Sequence, residues 1–158
     1  MWSQAIDSWS TLYSTHAALR TTLEFVHIAG LVVGGGCAIA ADLATVTSAR
    51  DVAAARATWL QLLTRTHRLV AIGLVAVVAS GLLLLAADVE TYWHSRIFWL
   101  KMAMVLLLLA NGTLLLNAER RARGGDVRAW TRLHYTATVS LVLWLLTTLA
   151  GAALPNIG

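Results

Sequence analysis

Four apolar runs, at roughly residues 21–43, 66–87, 97–117 and 130–153, constrain this chain more than any other feature. Each is close to the ~20 residues a helix needs to cross the hydrocarbon layer of a bilayer. No water reaches the backbone there, so a spanning run must satisfy its own peptide groups, and a helix does this within one segment. No proline interrupts the runs, and the single one, Pro155, follows the last. Composition agrees: 58% of the 158 residues are hydrophobic and 13% charged, against about half and about a quarter in soluble domains. The expectation is an all-α integral membrane protein. It has one domain over 1–158, and its four spans are joined by short connections into an up-down-up-down bundle. So short a chain is expected to hold no separate soluble catalytic domain.

The first twenty residues lack the basic start of a signal peptide, so the first run is expected to stay as an anchor. Within them Trp2, Ala5, Ile6, Trp9, Leu12 and Tyr13 recur at helical spacing. That pattern predicts a short helix in the membrane interface, with its aromatic side chains at headgroup level.

Cations set the orientation. Arg50, Arg56, Arg65, Arg68, Arg120, Arg121, Arg123, Arg128 and Arg132 fall in or beside the loops 44–65 and 118–129, whereas the other side has only Arg20, Arg96 and Lys101. Such an excess marks the cytoplasmic face. Both arginine loops are therefore expected inside and both termini outside, in the periplasm of a bacterial inner membrane. The sequence pI near 10 follows from topology and contact with anionic lipid, with no nucleic acid needed. The helical periodicity of ARDVAAARATWLQLLTRTHRL predicts that the second helix begins well before its apolar run. Gly124 and Gly125 mark a tight turn. In AADVETYWHSRIFW, Tyr92, Trp93 and Trp99 form an expected interfacial aromatic cluster.

Residues three, four or seven apart share a helix face. From Glu24 that face runs through His27, Gly30, Gly34, Cys37 and Ala38. Small residues are where membrane helices approach closely, and Gly30 with Gly34 has GxxxG spacing. Glu24 and His27 are therefore expected to face the interior of the bundle. Lys101 enters from the same side, and at about 1.5 Å rise per residue it shares the depth of His27. Buried membrane charges are costly unless paired, so Glu24, His27 and Lys101 make one candidate polar layer. The plainer alternative is that the stripe only packs helices and Lys101 snorkels to the interface. Asn111, deeper on the same broad face, is expected to bond to a backbone group of another helix.

A second layer lies at the arginine-rich side. His67 and His134 sit near the starts of two helices entering from that side, which suits bis-imidazole haem ligation. Arg65, Arg68 and Arg132 nearby could pair with haem propionates; the alternative is two wet interfacial histidines. His16 and His94 read as surface residues, His94 becoming a second ligand only if its loop folds over His27. The single cysteine, Cys37, rules out an internal disulfide and covalent CxxCH haem attachment. Methionine at positions 1, 102 and 104 gives poor support to thioether copper transfer. There is no HExxH motif, nucleophile elbow, phosphate loop or dinucleotide fingerprint.

The order ExxHxxG, SGLLLLAAD, FWLKMAMVLLLLAN and SLVLWLLTTLAG over most of residues 20–152 resembles small bacterial four-helix membrane proteins of a domain-of-unknown-function family. More distantly, the helix-one histidine with the WLK of helix three resembles HemJ-type membrane protoporphyrinogen oxidases and CopD-type copper-resistance proteins. That resemblance implies His27 as a haem axial ligand and Lys101 as a propionate or substrate partner. Where the HemJ-type family carries a Pro-Arg-Leu-type signature, this chain has GGGCAIAADL.

The leading expectation is a b-type haem protein of the membrane. It would transfer electrons between a quinone or membrane partner and another redox centre, or act as a small oxidoreductase. Its candidate metal ligands are His27, His67 and His134, with His27 favoured because glycines on its face would admit a flat macrocycle. The alternative from another class is a cofactor-free accessory subunit of a larger membrane complex or homo-oligomer, using the GxxxG face and the seven tryptophans as contacts. A third reading is an ion or metal conductor built on Glu24, His27 and Lys101. The lack of a continuous polar stripe through the central bilayer counts against it.

Overall fold

A computed structural model describes the backbone of residues 2–47, 53–124 and 126–157, and the side chains of 4–47, 66–124, 126 and 128–154. Arg50, Gly125 and the side chains of Trp2, Arg56 and Arg65 lie outside what it describes. All described elements are helices: α1 (Trp2–Thr15), α2 (Ala17–Gly30), a π-helical turn (Leu31–Gly35), α3 (Gly36–Thr47), α4 (Ala53–Ala87), α5 (Val89–His94), α6 (Arg96–Arg123) and α7 (Val127–Ile157). Four stretches are long and apolar enough to cross a membrane: Ala17–Thr47, Thr66–Ala87, Arg96–Arg123 and Arg128–Leu154. They coincide with the four apolar runs to within a few residues, except that the first, third and fourth helices extend into polar flanks. The second begins at Ala53, thirteen residues ahead of its apolar stretch, as its alanine and leucine periodicity predicts.

Helix α1 exists and is tied to the end of α4. Trp9 Nε1 donates to the Leu83 carbonyl at 2.9 Å, and the Ser10 hydroxyl donates to the Ala87 carbonyl at 2.8 Å. The last carbonyls of a helix have no donor within it, so Ser10 supplies one that α4 lacks. His16, with φ −110° and ψ 94°, breaks the helical path between α1 and α2.

Residue pairs across the main contacts run in opposite order. His27 stands beside Ser80 and Gly34 beside Gly73, so α2 and α4 are antiparallel. Lys101 stands beside Gly151 and Asn111 beside Thr136, so α6 and α7 are antiparallel too. The α6–α7 contact is the most extensive, α3 packs on α7, and α4 meets α6 only sparsely. Ala118, Ala122, Ala129, Trp130 and Leu133 form a buried cluster between α6 and α7. Alanines there let the two backbones approach closely.

The π-helical turn was not legible as such in the sequence. A π turn carries one residue more than an α turn, and one residue is about 100° of rotation. It falls at Leu31–Gly35, where α2, packed on α4, gives way to α3, packed on α7. Gly34 meets the α4 backbone and Gly35 meets the indole of Trp144 on α7. The inserted residue thus turns one continuous span from one neighbour to the next.

The connection between α4 and α6 is short and capped at both steps. Asp88 accepts from Thr91 N at 3.2 Å to start α5, and Ser95 Oγ accepts from Phe98 N at 3.3 Å to start α6, each satisfying an otherwise free amide. The expected aromatic cluster forms here. Trp93 and Trp99 pack edge to face with centroids 5.0 Å apart, and Phe98 joins Trp99 at 5.5 Å. Trp99 Nε1 also donates to the Trp93 carbonyl at 2.9 Å.

Candidate functional site

The fold brings His27 of α2 and Lys101 of α6 to one cavity of about 170 Å³, lined also by Gly81, Tyr92, Phe98 and Met102. The two residues are 74 positions apart in the chain, and only their shared depth suggested the juxtaposition. His27 Nδ1 lies 3.0 Å from Ser80 Oγ, and Ser80 in turn donates to the Ala76 carbonyl one turn back on α4. Two glycines make the room. A Cβ on Gly81 would lie 3.3 Å from His27 Cε1, and one on Gly151 would lie 3.5 Å from Lys101 Nζ. Among the described residues no carboxylate lines the cavity and none forms an ion pair with Lys101.

Glu24 does not join that layer as expected. Its side chain is exposed and accepts a hydrogen bond from the Tyr13 hydroxyl of α1 at 3.2 Å. The kink at His16 folds α1 back beside α2, and the tyrosine meets the carboxylate there. Tyr13 and Tyr92 lie outside the membrane-spanning stretches. Burial pushes the Tyr13 hydroxyl above its ordinary value of 10.0, helped by the hydrogen bond to Glu24. Burial does the same to Tyr92, helped by the negative charges of Asp88 and Glu24. Tyr92 itself lines the cavity, and Glu24 does not.

A second cavity of about 290 Å³ lies deeper along the same sparse seam between α4 and α6. Its polar lining is Asp42, His67, Thr113 and Ser140, and its apolar lining includes Leu74, Leu108 and Trp144. Asp42 is 3% exposed and takes a hydrogen bond from the Ser140 side chain, and its Oδ2 is a buried atom without a partner. His67 Nδ1 lies 3.3 Å from Oε2 of Glu119, a carboxylate 5% exposed that also holds Arg123, four residues on. An imidazole whose one nitrogen is fixed by a carboxylate is the usual arrangement behind a metal-bound histidine.

The expected pairing of His67 with His134 looks different in the structure. His134 is half-buried on α7 and does not line the cavity that His67 opens onto. Arg68 and Arg132 are exposed and do not line it either. Among the described residues no three of His, Cys, Asp or Glu are grouped as metal ligands. His16 and His94 are exposed, each bonded to a carbonyl of its own helical turn. Cys37 is a half-buried free thiol.

The glycine stripe packs inside the chain. A Cβ on Gly34 would lie 2.9 Å from Gly73 Cα, and one on Gly30 would lie 2.9 Å from Val77 Cγ2. The face thought open to a flat macrocycle is thus filled by the α4 backbone, and its GxxxG spacing serves an internal contact. Asn111, as expected, donates to a backbone group of another helix, the Thr136 carbonyl, at 2.9 Å.

Sequence reasoning missed Asp42 and Glu119. Asp42 carries a signal in the sequence, because the buried positions Gly30, Gly34, Ala38 and Asp42 step by four, which puts it one turn beyond Ala38 on the same stripe. Glu119 was hidden among the arginines of ERRAR, although its i,i+4 spacing to Arg123 is a pairing signal. Compared with known proteins, the chain matches no family model, no curated protein and no solved structure.

Proposed function

We propose that this chain is a membrane-embedded binding protein whose His27–Lys101 cavity takes an apolar molecule carrying an acidic group from the lipid phase. The observation that carries the reading is a lysine and a histidine from different helices lining one cavity that holds no carboxylate. A lysine inside a membrane domain is costly without an anion, and a bound acid would supply it. The sparse contact between α4 and α6 offers such a molecule a lateral path. The helices are read as an up-down-up-down bundle, which the antiparallel pairs support. Both termini are placed outside a bacterial inner membrane and the arginine loops inside, on the arginine distribution.

Haem b is the ligand this reading names first, because its propionates suit Lys101 and its iron suits His27. With the glycine face closed, the cavity of about 170 Å³ is smaller than the ring and would admit it only by parting α4 from α6, whose contact is sparse. The activity would then be electron transfer with a quinone or other membrane partner. A second haem position is supported by the carboxylate fixed on His67 Nδ1.

The test is the optical spectrum of the protein purified in mild detergent after expression with adequate haem. Reduced-minus-oxidised Soret and α bands are expected, lost in His27→Ala and weakened in Lys101→Ala. Loss in His67→Ala instead would move the haem to the deeper cavity. A colourless protein that also shows no saturable, Lys101-dependent binding of a fatty acid such as dodecanoate would overturn the reading. It would leave the cofactor-free accessory subunit, which native mass spectrometry with co-purified membrane proteins would reveal.

A further inference from the structure

We propose that the deeper cavity is a separate binding site for a lipid-soluble cation, a protonated amine on a small apolar body. Its N–H would donate to Asp42 Oδ2. Asp42 is 3% exposed, and Ser140, also buried, occupies its carboxylate from one side. Among the described residues the other oxygen has no donor, and Asp42 is one of the residues lining a cavity large enough to hold one. Buried polar atoms without partners are uncommon because nothing repays their lost hydration, and in a membrane domain water is scarce on every side.

The rest of the lining selects the ligand class. Among the described residues no lysine or arginine lines the cavity, so none of them competes for Asp42. His67 is already engaged by Glu119. Trp144, 7% exposed, offers the aromatic system that attracts cations best. Most other lining side chains are aliphatic, as in pockets that hold apolar bodies by shape and orient them with a few polar groups. At about 290 Å³ the cavity sits at the small end of the ~300–1,000 Å³ usual for such sites. The two cavities therefore have opposite chemistry: Lys101 without a carboxylate in one, Asp42 without a cation in the other. The proposal stands independently of what the His27–Lys101 cavity holds, and a haem found on His67 would overturn it, since His67 and Asp42 line the same cavity.

The experiment titrates the detergent-purified protein with hexylamine at neutral pH, where the amine is protonated, following tryptophan fluorescence. Hexanol and hexanoate are the uncharged and anionic counterparts. A saturable change is expected with hexylamine, absent in Trp144→Phe. The apparent affinity should fall at least tenfold in Asp42→Asn. Hexanol should bind at least tenfold more weakly, and hexanoate should not bind at this site. Gly112 supplies a variant that does not touch Asp42: it lines the cavity, and a Cβ there meets nothing within 4 Å. Gly112→Leu should fill the space and block binding while the protein elutes as a single species. An unsaturable titration, equal affinity for hexanol, or undiminished binding in both Asp42→Asn and Gly112→Leu would overturn the proposal and leave a water-filled cavity.

Discussion

Gly73 of α4 faces Gly34 so closely that a Cβ on Gly73 would lie 2.5 Å from the Gly34 Cα. Two backbones meet there with no side chain between them, and the contact positions everything above and below it. One turn and more toward one end it sets His27 against Ser80; toward the other it sets α3 against α7 and Asp42 against Ser140.

Gly73→Ala must push the two helices apart and is expected to cost about 1–3 kcal/mol, the usual range for overpacking. Gly36→Ala is the control, because a Cβ there meets nothing within 4 Å, and it should be neutral or slightly stabilising by its helix propensity. Thermal unfolding of both variants in one detergent checks the contrast. Equal melting temperatures would show that the glycine contact is not tight.

Glu119 is the buried member of a trio with His67 and Arg123. The Arg123 side chain is 37% exposed, so it can turn to water when its partner is lost. Glu119→Ala should therefore cost less than the ~3–5 kcal/mol of breaking a fully buried pair, about 1–3 kcal/mol from the donors left wanting. Arg123→Ala leaves that buried carboxylate with His67 alone and should cost a similar amount, about 1–3 kcal/mol. Chemical or thermal denaturation measures both, and a neutral effect of either would contradict the geometry.

Asn111→Ala removes a hydrogen bond to a carbonyl that is already part of the α7 helix. The expected loss is about 0.6 kcal/mol, the average for interhelical bonds in a membrane protein. The bond lies between α6 and α7, so hydrogen exchange in α7 near Thr136 should rise while exchange in α2 stays constant.

The Tyr13 hydroxyl is held above its ordinary value by burial and by Glu24. Its contribution is present below pH 10 and is lost as pH rises through the raised folded value, because the unfolded tyrosine ionises first. Helix α1 should loosen only in strong alkali. Ultraviolet tyrosinate titration of the protein against Tyr13→Phe isolates the group. In Glu24→Gln it should titrate earlier, since both the negative charge and its hydrogen bond to the neutral phenol weaken.

Trp9 and Ser10 fasten α1 to carbonyls of α4. Replacing both, as Trp9→Phe with Ser10→Ala, should leave the spans folded and make α1 the first segment cut by a protease. Unchanged protection would mean that lipid or detergent alone holds α1.

The four apolar spans are legible in the residues alone. Their approximate limits, the amphipathic α1, the early start of α4 and the aromatic cluster of the α4–α6 connection all follow from local causes: apolar length against bilayer thickness, helical spacing and capping residues. The sequence also marked His27, Lys101 and Asn111, because an ionisable or amide group in an apolar run has few satisfactory places to go. Tertiary structure decided the partners. Glu24 turned out to Tyr13 because α1 folds back at His16. The glycine stripe was consumed by Gly73, which no spacing within one helix can show. His67 found Glu119 instead of standing over a cavity with His134. Asp42 gained its significance only when the π-helical turn rotated α3 toward Ser140. Periodicity reports which face a residue occupies, whereas the neighbour that face meets depends on register and rotation between helices, set by close backbone contacts far apart in the chain.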